Sequence, residues 1–267
     1  MSKIIIVTGA SSGIGRAISL YLTSKGFKVY GTCRNPKKYN FSEYELLKCN
    51  INSSKEIEDT VNYIIDKEKN IDVLINNAGI GITGPLEETS NNDIKSAFET
   101  NLYGPINMIK KCIPTMRKNN KGLIINITSV LGYFGIPYRG IYCATKSSME
   151  IVGEVFSMEL KKFNINVVNV APGDFKTNIV SRRINSKPDS FSYYNEEYSK
   201  SLKSANKNVE NAWSPEIVSK LIYNIINSKN PKIHYKVGKF IQKFSIVLKN
   251  ILPDRLFEKI LLYYSKN

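Results

Sequence analysis

The chain alternates between two kinds of pattern from its first residues. "KIIIVT" (3–8) is a short apolar run rich in β-branched residues and ended by Gly9, which predicts a strand. "GIGRAISLYLTSKG" (13–26) repeats its apolar positions at helical spacing and stops at Gly26, a natural C-terminal cap. "FKVYGT" (27–32) and "ELLKCN" (45–50) read as the next strands, and 53–69 as a helix. "IDVLIN" (71–76) is a further strand. A long helical stretch over 92–117 follows, which Gly104, Pro105 and Pro114 predict to bend. "GLIINIT" (122–128) is a strand, 142–163 a helix and "INVVNV" (165–170) a strand again. Several strand runs are apolar at consecutive positions, so both of their faces must be covered. That predicts an α/β fold, a doubly wound Rossmann-type parallel sheet with helices on each side.

Beyond Pro172 the pattern weakens. Residues 174–212 are polar, with no core face running through them, and read as an insertion of functional or mobile character. "SPEIVSKLIYNIINS" (214–228) predicts a helix with Ser214 as N-cap and Pro215 as first helical residue. "PKIHYKV" (231–237) predicts a last strand. In 239–264 the apolar positions 240, 241, 244, 247, 248, 251 and 252 fall on one helical face, and Pro253 separates a second helix. From 229 to 267 the net charge is +7. Three readings of this tail stay open: packing on the domain or a sister subunit, a roof over the substrate pocket, or contact with an anionic membrane surface.

Composition narrows the setting. The 267 residues are 42% hydrophobic, enough for a sizeable core, and no linker divides them, so a single domain over 1–267 is expected. The net charge of +15 comes with no recognisable nucleic-acid motif. No signal peptide or membrane span is visible. Four scattered cysteines without a CxxC pair argue against disulfides and zinc and for a reducing, cytoplasmic setting. The lone His234 has no carboxylate or Cys/His cluster near it in sequence and reads as structural; no metal is expected.

The candidate chemistry starts in "TGASSGIG" (8–15). Its glycines lie between the first strand and the first helix, where they permit a tight turn and close approach of a pyrophosphate to the helix N-terminus. At the end of strand two, Cys33 stands where an NAD enzyme carries an acid for the ribose, and Arg34 follows. An arginine suits a 2′-phosphate, so NADP(H) is expected over NAD(H). The "GLIINITS" strand ends in Ser129 at the carboxyl edge of the sheet. Thirteen residues on, Tyr142 and Lys146 stand one helical turn apart. Spacing alone does not single them out, because Tyr21/Lys25, Tyr44/Lys48, Tyr63/Lys67 and Tyr235/Lys239 share it.

Taken together, "TGASSGIG" (8–15), "NNAG" (76–79), "ETNLYG" (99–104), "INITS" (125–129), "YCATK" (142–146) and "APG" (171–173) with Thr177 resemble the short-chain dehydrogenases/reductases, in their single-domain branch. The order matches that family over roughly the first 180 residues. "NNAGIGITGPLEE" and "GYFGIPYRGIYCATK" are most similar to the hydroxysteroid and retinol dehydrogenase-like members. The resemblance implies strand order 3-2-1-4-5-6-7 and a tetrad of Asn101, Ser129, Tyr142 and Lys146. Tyr142 would be the general acid/base, its phenol lowered by Lys146; Ser129 would bond the substrate oxygen, and Asn101 would hold a water leading to Lys146. Cofactor contacts would come from Gly9, Ser11, Ser12, Gly13, Ile14, Gly15, Arg34, Asn50, Ile51, Asn76, Ala78, Gly79, Tyr142, Lys146, Pro172, Gly173 and Thr177. Asn50 departs from the family's usual acid at the adenine, with a side-chain oxygen left to accept the same bond.

The implied activity is NADP(H)-dependent hydride transfer between nicotinamide and an apolar ketone, aldehyde or secondary alcohol of lipid-, steroid- or retinoid-like character, in a homodimer or homotetramer. The alternatives are a non-catalytic NADP(H)-binding regulator, and a membrane-surface lipid ketone reductase or 3-oxoacyl reductase.

Overall fold

The computed structural model describes residues 2–40, 43–186 and 191–266. Seven parallel strands form the main sheet: β1 (Ile4–Thr8), β2 (Lys28–Cys33), β3 (Glu45–Lys48), β4 (Val73–Asn76), β6 (Gly122–Ile127), β7 (Ile165–Pro172) and β9 (His234–Val237). Their spatial order is β3-β2-β1-β4-β6-β7-β9, the order expected from the resemblance when only these strands are numbered. The chain winds outward from β1 to β3, then crosses to the other side of β1 at β4. The carboxyl ends of β1 and β4 therefore flank a switch point, where open parallel sheets bind ligands.

Alternation along β1 builds two cores. Ile4 and Ile6 face a layer made by α2 (Ser54–Glu68), α4 (Gly104–Lys118) and α5 (Gly140–Leu160). Ile5 and Val7 face the opposite layer, made by α1 (Gly13–Ser24) and α8 (Glu216–Asn227). All four are buried, the two-sided burial that the apolar runs required. Helix starts follow the local chemistry: the Ser53 hydroxyl accepts from Glu56 N at 3.3 Å to open α2, and Ser90 accepts from Asp93 N at 3.1 Å to open α3 (Asn91–Phe98). At α8 the boundary moves one residue from expectation. Pro215 is the cap and Glu216 the first helical residue, while Ser214 reaches Glu216 N at 3.4 Å.

The bend expected in 92–117 is a π-helical turn at Glu99–Tyr103, between α3 and α4. Pro105 has no N–H to donate to the carbonyl of Asn101 four residues back, so the α-helical ladder fails there. Pro114 stays inside α4.

The 174–212 insertion carries more order than its polarity suggested. It contains α6 (Ile179–Arg182), β8 (Ile184–Asn185) and α7 (Asn195–Glu210); its residues 187–190 lie outside the described residues. β8 pairs in parallel with β5 (Ile82–Thr83), and the buried Tyr198 phenol sits 3.0 Å from Thr83 Oγ1. The tail forms α9 (Phe240–Ile251) and α10 (Asp254–Lys266), broken at Pro253 as its sequence implied.

Candidate active site

A cavity of about 740 Å³ opens at the switch point and extends under the tail. Its floor holds the glycine loop (Gly9, Ser11, Ser12, Gly13 and Ile14), then Arg34, Asn50 and Ile51, with Ala78 and Gly79 along one side. Ser129, Tyr142, Lys146, Pro172, Gly173 and Thr177 stand at the far end. Most of the proposed residues thus share one space, although they come from seven separate segments.

Three of them sit elsewhere. Asn76 closes β4 inside the sheet, where its Nδ2 donates to Asn126 Oδ1 at 3.1 Å; Asn126 Nδ2 in turn donates to Asn169 Oδ1 at 3.0 Å. Asn169 Nδ2 continues to the Glu150 carbonyl at 2.8 Å. The neighbouring Asn77 takes the cavity wall instead and ties Nδ2 to Thr8 O at 2.9 Å. Gly15 lies behind the loop: a Cβ there would meet Asn77 Nδ2 at 2.3 Å and the Gly9 carbonyl at 2.5 Å. Asn101 is buried in the π turn. Its Oδ1 accepts from Ile80 N at 2.8 Å and its Nδ2 donates to Ile80 O at 2.9 Å and Thr145 Oγ1 at 3.1 Å. Asn50 keeps its place on the wall, but its Oδ1 already accepts from Asn52 N at 3.2 Å.

The loop fits a dinucleotide phosphate. Gly9 holds φ +67°, and a Cβ on it would lie 2.9 Å from the Ala78 backbone, so only glycine leaves this cradle open. The Ser12 side chain makes no capping bond to α1. It accepts instead from Arg182 Nη1 at 2.7 Å, while Arg182 Nη2 donates to the Tyr39 phenol at 3.1 Å. Arg182, Arg34 and Lys38 all line this end, giving it the cations an additional phosphate needs. Arg182 was missed in the sequence, because nothing in the polar 174–212 stretch tells which basic residue folds back 170 positions to the loop.

At the reacting end, Lys146 is buried and donates from Nζ to the Ile127 carbonyl at 3.0 Å; Nζ lies 5.8 Å from the centre of the Tyr142 ring. Burial pulls the ammonium down to about 8, opposed by the Glu150 carboxylate. Burial also pushes the Tyr142 phenol up, and its hydrogen bond with Ser129 opposes that rise. In the protein alone, burial outweighs the Ser129 bond, so the phenol stands above its ordinary range. Two of the look-alike pairs make comparable contacts outside this cavity. Lys67 Nζ reaches Tyr63 Oη at 3.3 Å and Lys25 lies 5.4 Å from the Tyr21 ring. Position in the fold separates Tyr142/Lys146 from them.

The tail packs over the cavity, which leaves its outer side free for the other readings. Ile241, Leu248, Phe257, Ile260, Leu261 and Tyr264 line the same cavity as Tyr142. Gln242 clamps α9 to the loop after β7, donating from Nε2 to Asp174 Oδ2 at 2.7 Å.

Known proteins resemble this chain in sequence and in fold. The family model for short chain dehydrogenase matches residues 3–188. The 3-ketodihydrosphingosine reductase of Bacteroides thetaiotaomicron is 41% identical over 181 residues, which cover 68% of this chain and 67% of that protein. A short-chain dehydrogenase structure from Streptomyces avermitilis superposes with a TM-score of 0.82 at 24% identity, covering 100% of this chain and 99% of that one. ElxO, solved with NADP bound, superposes with a TM-score of 0.72 at 26% identity, covering 89% of this chain and 96% of its own. With its motifs gathered at the sheet's switch point and the family model spanning most of its length, this chain belongs to the short-chain dehydrogenase family.

Proposed function

We propose that the protein is an NADP(H)-dependent reductase of apolar carbonyl compounds, or the corresponding alcohol dehydrogenase. The observation that carries this reading is the continuity of one cavity, from a cationic phosphate cradle, past Ser129 and Tyr142, to an apolar roof. When bound, the nicotinamide supplies or accepts the hydride. The chain's own residues handle the oxygen and its proton. Ser129 donates to the substrate oxygen, and Tyr142 delivers the proton as charge develops there. Lys146 holds a positive charge beside the phenol. The side chain of Asn101 is spent on Ile80 and Thr145, so a water on the path to Lys146 would meet its main-chain carbonyl, which Pro105 cannot serve.

The likeness to a 3-ketodihydrosphingosine reductase and the lining by Leu248, Phe257 and Leu261 support a long-chain ketone as substrate class. Ile151, Val155 and Met158 are exposed on α5 and fit the expected homo-oligomer, which sedimentation would measure.

The test is a panel of apolar ketones and aldehydes run with NADPH and NADH in parallel. NADPH oxidation with at least one long-chain ketone is expected, with clear preference over NADH. Arg34→Ala should raise KM for NADPH about tenfold and leave NADH unchanged, as expected for one charge-assisted phosphate contact at an exposed position. Equal use of both cofactors would overturn the NADP(H) reading. Tight NADPH binding without turnover on every substrate would favour the non-catalytic regulator.

A second reading adds a membrane surface to the same chemistry. No helix among the described residues is long and apolar enough to cross a membrane. The outer side of the roof nevertheless exposes Phe240, Phe244, Val247, Ile251, Leu256 and Tyr263, with Phe240 74%, Ile251 71% and Tyr263 75% accessible. Lys239, Lys243, Arg255 and Lys259 are interspersed among them, the pattern of a helix lying on anionic lipid. Co-sedimentation with phosphatidylglycerol-containing vesicles should exceed that with pure phosphatidylcholine and be lost in Phe240→Glu/Phe244→Glu. Equal recovery with and without vesicles would remove this reading and leave the reductase intact.

A further inference from the structure

The catalytic helix carries a buried acid that the chemistry above does not use. Glu150 follows Lys146 by one turn of α5 and is only 5% exposed. Both of its oxygens are held. Thr128, one residue before Ser129, donates its hydroxyl to Oε1, and His234 Nδ1 lies 3.1 Å from Oε2. His234 comes from β9, 84 residues away, and its Nε2 faces Glu154 Oε1 at 3.2 Å. The Tyr133 phenol closes the group at 3.3 Å from His234 Nδ1, with Lys236 over its ring at 4.9 Å. The Asn169 amide fixes the backbone of Glu150 itself.

This is an expensive arrangement unless the acid has a partner, since a buried carboxylate is poorly tolerated alone. Lys146 has the same difficulty: among the described residues, only the Ile127 carbonyl accepts from its ammonium. The two groups lie on one face of one helix, with opposite charges. We propose that Glu150 is a positioning residue for the reductase chemistry, a clamped counter-charge that keeps Lys146 protonated beside Tyr142, with Thr128 and His234 fixing where that charge sits. The proposal rests on the assignment of Lys146 above. It gives His234 a function its sequence neighbourhood concealed: the imidazole bridges Glu150 to Glu154 and holds the carboxylate against the helix, so β9 supports the active site from behind.

The sign of the effect is fixed. A negative charge nearby favours the ammonium, so removing it moves the titration of Lys146 downward from its value of about 8. Activity that needs the ammonium then falls off at lower pH.

Two measurements test this on the full chain. In cofactor-free protein carrying 13C-labelled lysine, the Lys146 Cε resonance, identified by its loss in Lys146→Met, should titrate about one unit lower in Glu150→Gln and return toward the wild-type midpoint in Glu150→Asp. In the pH profile of kcat for ketone reduction, the alkaline limb should move by the same amount in the same direction. An unchanged Lys146 midpoint in a folded Glu150→Gln protein overturns the proposal. So does a uniform loss of activity with no shift of the limb. If Glu150→Gln does not fold, His234→Gln, which retains the carboxylate but not the bridge to Glu154, must shift the Lys146 midpoint; no shift overturns the clamp. Because the NMR titration needs no turnover, it stands apart from the question of whether the protein reduces ketones.

Discussion

Tyr142→Phe is expected to reduce kcat about 10³-fold, within the range general acid–base catalysis contributes, while NADPH affinity changes less than twofold. The substitution removes one oxygen. That oxygen's hydrogen-bond partner in the protein is Ser129, whose Oγ also accepts from Leu131 N at 3.1 Å and so is not left unpaired. The fold therefore has little reason to respond, and the loss should appear in turnover alone. Because burial holds the phenol above its ordinary range, the group is protonated at neutral pH and ready to donate in the reductive direction. Oxidation of the alcohol requires phenolate and should gain rate as pH rises. The comparison variant is Ser129→Ala, for which a smaller loss is expected, since other groups can still supply the proton. Retention of more than a tenth of the turnover in Tyr142→Phe would identify a different proton donor.

Gly15→Ala should be the most damaging single-methyl change in the phosphate region. The added carbon would sit 2.3 Å from Asn77 Nδ2 and 2.5 Å from the Gly9 carbonyl. The amide can rotate, but the carbonyl belongs to the cradle itself, so relief must come from moving the loop. Overpacking of this kind costs about 1–3 kcal/mol. A displacement near 1 Å at a site that must fit its ligand costs about 10²-fold. The expected result is a thermal midpoint several degrees lower and NADPH affinity weakened about 10²-fold, read by NADPH fluorescence. By contrast, Gly26→Ala should leave cofactor affinity untouched: a Cβ there meets nothing within 4 Å, and only its φ of +82° resists the change. Equal affinities for the two variants would show that the close approach of Gly15 to Gly9 does not shape the cradle.

The sheet and the reacting residues were legible in the sequence for different reasons. Strands buried on both faces leave runs such as "IIIV" that little else produces, and β1, β6 and β7 fell where those runs stand. Tyr142 and Lys146 were legible because one helical turn fixes their relation, and the strand ending in Ser129 fixes their place. What the sequence concealed depends on single-residue choices or on distance. Asn76 and Asn77 are adjacent and identical in type, yet the pleat sends one into the sheet and the other to the cavity. Glu150 is visible as the residue one turn after Lys146, but His234 reaches it only because β9 pairs with β7. The tail's apolar face was compatible with packing on the domain or a subunit, a roof over the pocket, or a membrane. Where α9 sits depends on Gln242 meeting Asp174, a contact that periodicity does not encode.

The row of asparagines bears on how the strands find one another. Sheets of isoleucine and valine carry a degenerate code: slipping one strand by a single residue turns every side chain to the wrong face, but slipping it by two restores the faces and looks nearly native. Asn76, Asn126 and Asn169 are register partners across β4, β6 and β7. A two-residue slip separates them: Asn76 would face Ile124 or Thr128, and Asn126 would face Val167 or Ala171, so the amide–amide bonds are lost at about 1–3 kcal/mol apiece. Three polar side chains in the driest part of the molecule thus act as an alignment key. They reject the near-miss pairings that hydrophobicity alone would accept.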